Sequence, residues 1–150
     1  MLRRLISIAI CSLFAASVQA AGDFGTRDEA VAMVKRVEAK FAKDGADPTF
    51  KAITAKAPEF HDRDLYPFVV DINGINVAHG ANPALIGKDL SGIKDPDGRF
   101  PIREMLEKAK AEGKGWIDYK WPNPSTNKID DKSSYFERLG DYVVGVGVYR

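Results

Sequence analysis

Apolar positions recur at Ala30, Val34, Val37 and Phe41, the three-to-four spacing that gives a helix one buried stripe. Thr26 followed by Glu29 predicts a capping box at its start, where each side chain answers a backbone N–H that the helix leaves free. Gly45 supplies the stop. Asp47 and Pro48 predict a second, shorter helix with the aspartate as cap and the proline at its first position, ended by Pro58. From Leu65 the pattern changes to a run of β-branched and aromatic residues reaching Ile72, and a second run spans Ile75 to His79. Asn73-Gly74 between them predicts a two-residue hairpin turn with both residues at positive φ. Pro67 has no backbone donor, which starts its strand at a sheet edge or delays it to Phe68.

Gly80 to Phe100 reads as a long loop broken by Asn82-Pro83, Gly87, Gly92, Asp95-Pro96 and Asp97-Gly98. Pro101 opens a third helix with Ile102, Met105, Leu106 and Ala109 on one face, closed by Gly113 to Gly115. Strand-like patterns then fill Trp116 to Trp121, Tyr135 to Leu139 and Tyr142 to Tyr149. The order predicts an α+β domain: a five-stranded antiparallel sheet with helices on one side.

The first twenty residues follow other rules. Met1, Arg3 and Arg4 precede the apolar run Leu5 to Val18, and Val18-Gln19-Ala20 closes it. This predicts a signal peptide, residues 1–20, cleaved after Ala20. The run is shorter than the roughly 20 residues a spanning helix needs. Residues 21–150 then form one domain, released into the periplasm or secreted, with no membrane span after cleavage. The single cysteine, Cys11, lies in the leader, so thiol catalysis and disulfide exchange are excluded from the rest.

Lys plus Arg number 22 against 21 Asp plus Glu, for a net charge of +1. That balance gives no general attraction to polyanions, and no nucleic-acid partner is predicted. With 45% apolar and 29% charged residues the composition is that of a globular domain. Other chemistries find little support. His61 and His79 lie far apart with no cysteine to join them in a zinc site. Asp95, Asp97 and Gly98 match part of a calcium loop, but Leu106 stands where its closing acid belongs. Asp130-Asp131 sits in a polar stretch with nothing to raise one pKa for acid catalysis. The expectation is a protein that is not an enzyme and carries no cofactor or metal.

Alternation along Trp116 to Trp121 places Ile117, Tyr119 and Trp121 on one face and Trp116, Asp118 and Lys120 on the other. Tyr119 and Trp121 could line a small pocket with their polar tips turned inward, or could be plain sheet aromatics.

Read in order, Phe60-His61-Asp62-Arg63-Asp64-Leu65-Tyr66-Pro67-Phe68-Val69, Asp71-Ile72-Asn73-Gly74, Ala78-His79, Asn82-Pro83 and Leu85-Ile86-Gly87-Lys88 resemble a single Cache domain of the second type. Gly113-Lys114-Gly115-Trp116-Ile117-Asp118-Tyr119, Trp121-Pro122-Asn123-Pro124, Lys132-Ser133-Ser134-Tyr135 and Gly145-Val146-Gly147-Val148-Tyr149 extend the resemblance across residues 24–149. It implies a PAS-like, extracytoplasmic ligand-sensing fold with a long N-terminal helix. It also implies that Tyr66, His79, Tyr119, Trp121, Lys132 and Tyr135 contact one small organic ligand between the sheet and the loop from Gly80 to Phe100. Lys132, read as lying just before a strand, would hold a short carboxylate from the pocket rim; Arg63 competes as a partner of Asp62 or Asp64. Gly80 departs from the family, which often has proline there. Family members are usually joined by membrane helices to a kinase, cyclase or chemoreceptor, whereas this chain stops at Arg150, so a membrane sensor kinase, chemoreceptor or transporter is the expected partner. The alternative is an accessory protein that binds no ligand and docks a partner.

Overall fold

The computed structural model describes residues 22–150; the predicted leader and its cut at Ala20 lie outside them. The capping box forms, with Thr26 Oγ1 accepting from the Glu29 N–H at 3.3 Å and the Glu29 carboxylate accepting from the Thr26 N–H at 2.8 Å. It starts α1 (Arg27–Asp44). Gly45 ends α1 with φ +83° and its N–H on the Phe41 carbonyl. The same glycine caps α2 (Ala46–Thr54), so Asp47 and Pro48 lie inside the first turn, and the expected aspartate cap is corrected. Pro58 opens a single helical turn, Pro58–Phe60.

Five antiparallel strands follow: β1 (Pro67–Asp71), β2 (Asn76–His79), β3 (Lys114–Asn123), β4 (Lys128–Leu139) and β5 (Tyr142–Tyr149), with α3 (Pro101–Glu112) between β2 and β3. Their order across the sheet is β2-β1-β5-β4-β3. β1 is thus interior, and Pro67 is tolerated because it is the first residue of its strand, opposite Val146.

Two further expectations are corrected. The β1–β2 connection is a three-residue loop: the Asp71 N–H reaches the Ile75 carbonyl, the Gly74 N–H reaches the Asp71 carbonyl, and only Gly74 has positive φ, at +91°. The Asp71 carboxylate replaces the missing pair by accepting from the Asn73 and Ile75 N–H groups at 2.8 and 2.9 Å. β4 begins at Lys128, well before Tyr135, because every residue from Lys128 to Glu137 pairs with β3. Cross-strand pairing overrides the weak strand character of that polar stretch.

Helices cover both faces, not one. α1 and α2 pack on the face carrying Val69, Ala78, Val144, Val146 and Val148. α3 lays Ile102, Met105 and Ala109 on the opposite face, against Phe68, Val70, Ile117, Phe136 and Val143. The cause is visible in β5, where Val143 and Val144 point to opposite faces and both are buried.

The segment from Gly80 to Phe100 is fastened at both rims of the sheet. Along β2 the Asn76 N–H reaches the Lys88 carbonyl, and the Gly87 N–H returns to the Asn76 carbonyl. At β3, Asp95 is buried. Its carboxylate accepts from the Asp97 and Arg99 N–H groups at 3.0 and 2.9 Å and from the Lys120 N–H at 3.3 Å. Lys108 and Arg99 reach the Trp116 and Asp118 carbonyls on the same rim. Among the described residues, no helix is long and apolar enough to cross a membrane.

Candidate functional site

Alternation on β4 sends Lys132, Ser134 and Phe136 to the α3 face and Ser133, Tyr135 and Glu137 to the α1 face. Lys132 is therefore mid-strand and only 1% exposed, a correction to its expected place at the rim before a strand. Glycines make room for it and for Phe68 beside it. A Cβ at Gly145 would strike the Phe68 ring, and one at Gly147 would strike the Lys132 stem.

The Lys132 ammonium donates to the Tyr66 phenol oxygen at 2.9 Å and lies 4.3, 4.8 and 5.6 Å from the ring centres of Tyr66, Tyr149 and Phe68. Among the described residues no carboxylate pairs with it, and of its three N–H donors Tyr66 takes one. Burial opposes its charge, and the Tyr66 phenol oxygen and the faces of the Tyr66, Tyr149 and Phe68 rings offset part of that cost. Tyr66 and Tyr149 hydroxyls are 2.8 Å apart, and Tyr149 donates to the Pro122 carbonyl at 2.8 Å. That carbonyl can only accept, so the protons point one way, from Lys132 to Tyr66 to Tyr149 to Pro122.

His79 lies against this group, its ring 5.2 Å from that of Tyr66. Burial, and then the Lys132 charge, push its pKa down to about 3. Its Nδ1 accepts from the N–H groups of Ala81 and Asn82 at 3.2 and 2.9 Å. The neutral ring therefore keeps its proton on Nε2, as a donor. Tyr119 is buried, with its hydroxyl 2.9 Å from Ser134 Oγ and its ring edge-on to Trp121 at 5.9 Å. Burial pushes the Tyr119 phenol pKa up.

These side chains enclose a chamber of about 10 Å³, walled by Phe68, His79, Leu90, Ile102, Tyr119, Trp121 and Lys132. Tyr66, His79 and Trp121 also form the inner wall of an open cleft of about 640 Å³ between the Gly80–Phe100 segment and the β3–β4 hairpin. The chamber wall includes the Lys132 ammonium and the His79 imidazole, whose proton is on Nε2.

Of the residues predicted from sequence, Tyr66, His79, Tyr119, Trp121 and Lys132 are brought together. Tyr135 is not. It stands three residues from Lys132, on the opposite face, where its ring packs 5.3 Å from Trp116 and its hydroxyl donates to Glu137. Arg63 is held elsewhere, paired with Glu29 and Asp62 and donating to the Gly22 and Phe24 carbonyls. Sequence reasoning missed Tyr149, Phe68, Leu90 and Ile102. The alternation Gly145, Gly147, Tyr149 was the available signal for the first, since two glycines beside a tyrosine on one strand face mark space kept for other side chains. Among the described residues, no cluster of three or more His, Cys, Asp or Glu side chains could hold a metal.

Comparison with known proteins agrees with this fold. A family model described as the Cache domain matches residues 33–150. The chain is 35% identical over 91 residues to the methyl-accepting chemotaxis protein McpP of Pseudomonas putida, covering 59% of this chain and 17% of that protein. It is 41% identical over 91 residues to the sensor histidine kinase MctS of Rhizobium johnstonii, covering 59% of this chain and 20% of that protein. The aligned stretch is thus a minor part of either receptor. A methyl-accepting chemotaxis protein from Vibrio parahaemolyticus superposes with a TM-score of 0.71 at 27% identity, covering 81% of this chain and 86% of that one. A Cache chemosensory domain whose structure is described as a basis for carboxylic acid recognition gives a TM-score of 0.64 at 28% identity, covering 81% of this chain and 86% of that one.

Proposed function

Because this chain belongs to the Cache-domain family, we propose that it is an extracytoplasmic sensor module that binds a small organic carboxylate at Lys132 and passes the bound state to a membrane signalling partner. The observation that carries the reading is the buried Lys132 ammonium, which has two N–H donors to spare and no acidic neighbour among the described residues. An unpaired charge in an apolar setting is costly, and a carboxylate answers both the charge and the donors. His79 Nε2–H adds a third donor from the chamber wall. The resemblance to a domain described as recognising carboxylic acids supports the same class. The likeness to a chemoreceptor and a sensor kinase supports a partner of that kind. The leader read at residues 1–20 would deliver the domain to the periplasm, and the mass of the exported protein tests the cut after Ala20.

Calorimetry with propionate and with propionamide tests the carboxylate. Propionate should bind, the amide of the same shape should bind at least tenfold more weakly, and Lys132→Met should remove the difference, since a charge-assisted bond contributes about 1.5–3 kcal/mol. Equal affinity for acid and amide would overturn the reading.

A further inference from the structure

We infer that Glu38 on α1 and Glu137 on β4 form a proton-operated clasp: a proton taken up between the two carboxyls tightens α1 on the sheet, and its loss loosens the helix. The clasp lies on the face of β4 opposite Lys132 and is independent of the carboxylate reading. Its parts come from two elements. Lys35 and Glu38 stand about one turn apart on α1, and the Lys35 ammonium lies 3.0 Å from Glu38 Oε2 and 2.6 Å from Glu137 Oε1. Tyr135 donates its hydroxyl to the same Glu137 oxygen. The two carboxyls are within hydrogen-bond reach of each other. Opposite Glu137, β5 sets the apolar Val144, and β3 sets Lys114, which is exposed and makes no ion pair with it among the described residues.

One ammonium thus faces two acids. The Glu38 and Glu137 side chains are only 23% and 12% exposed, so water screens their repulsion incompletely. A shared proton turns that repulsion into a charge-assisted hydrogen bond. Burial, and then the Glu137 carboxyl beside it, push the Glu38 pKa up. Burial opposes the charge on Glu137 as well, but hydrogen bonds from Glu38, Lys35 and Tyr135 outweigh it and hold that pKa well below the usual range. The proton therefore resides on Glu38, and the pair titrates as a unit. A docked α1 binds it more tightly than an undocked one, in which Glu38 is an ordinary glutamate of pKa about 4.3. Docking strengthens as pH falls from neutrality toward that value, and weakens below it as Glu137 is protonated in turn.

The test is carbon NMR of the glutamate carboxyls in the purified protein from pH 8 to 2, with amide hydrogen exchange of α1 at pH 7.5 and 5. The exchange is measured on the parent and on Glu38→Gln, whose neutral amide can donate to Glu137 at every pH. The carboxyl carbons of Glu38 and Glu137 should both report one step above the ordinary glutamate range and a second well below it. Val34 and Val37, buried on α1, should exchange more slowly in the variant than in the parent at pH 7.5. That ratio should fall by pH 5, by at most about tenfold per pH unit. Two independent single steps near the ordinary value would overturn the shared proton. Coupled titration with an exchange ratio that does not change with pH would overturn the action on α1. A variant that fails to fold would also overturn the clasp, because a neutral group at position 38 should hold the helix more firmly.

Discussion

A Cβ at Gly147 would fall inside the Lys132 side chain and against Ser134 Oγ. The glycine has no unusual backbone angle to satisfy, so what it supplies is space for the lysine stem. Gly147→Ala should cost roughly 1–3 kcal/mol through overpacking and should weaken carboxylate binding by displacing the ammonium. Gly92→Ala is the comparison, since nothing lies within 4 Å of its added carbon; it should change stability by less than about 0.5 kcal/mol. Urea denaturation of both variants decides the matter, and equal midpoints would mean that Lys132 packs elsewhere.

Lys132→Met should leave the unliganded protein as stable as the parent or raise its urea midpoint. The substitution keeps most of the stem's packing and removes a buried charge that has no acidic partner to strand. A loss of about 3 kcal/mol or more would reveal such a partner, because that is the scale on which broken buried pairs report.

His79 makes stability depend on acid. Its folded pKa of about 3 lies below the unfolded value of about 6.5. Between those limits the unfolded chain binds the extra proton, so the histidine's contribution is complete above pH 6.5 and is lost as pH falls toward 3. The slope should approach about 1.4 kcal/mol per pH unit. His79→Gln, whose amide oxygen can still accept from the Ala81 and Asn82 N–H groups, should flatten stability between pH 6 and 4. Denaturation across that range checks it, and an unchanged slope would move the effect to the carboxylates.

Gly74→Val should destabilise the fold by roughly 1–3 kcal/mol, because φ is +91° there and a Cβ would stand 2.8 Å from that of Ser91. Asn73→Ala should be nearly silent in the same thermal melt, since Asn73 keeps negative φ in the three-residue loop. A large loss at Asn73 would restore the two-residue turn.

Periodicity was enough to place α1, α3 and the hairpin, because each buries a stripe that local spacing dictates. It failed for the first half of β4. Lys128 to Ser134 is polar, and its strand exists through pairing with β3, information that lies in the partner rather than in the segment. The candidate site followed the same division. Tyr119 and Trp121 were legible from alternation, and Lys132 was reached through the family resemblance. Once Lys132 was assigned outside the strand, the parity that turns Tyr135 to the α1 face could not be used. The depth of Lys132 was illegible in another sense: a lysine is ordinarily solvated, and its burial depends on the space left by Gly147 on a neighbouring strand.

The fastened rims of the sheet bear on how the protein behaves in a crowd. Strand edges are templates on which other chains can add, and a ten-residue β3 would be a long one. Here Lys108, Arg99 and Asp95 occupy successive backbone groups along it, and Gly87 and Lys88 occupy both backbone groups of Asn76 at the start of β2. A segment that walls the cleft thereby also serves as a bumper against fibrillar growth. Mutations that loosen it to widen ligand access would expose a seed for aggregation at the same stroke.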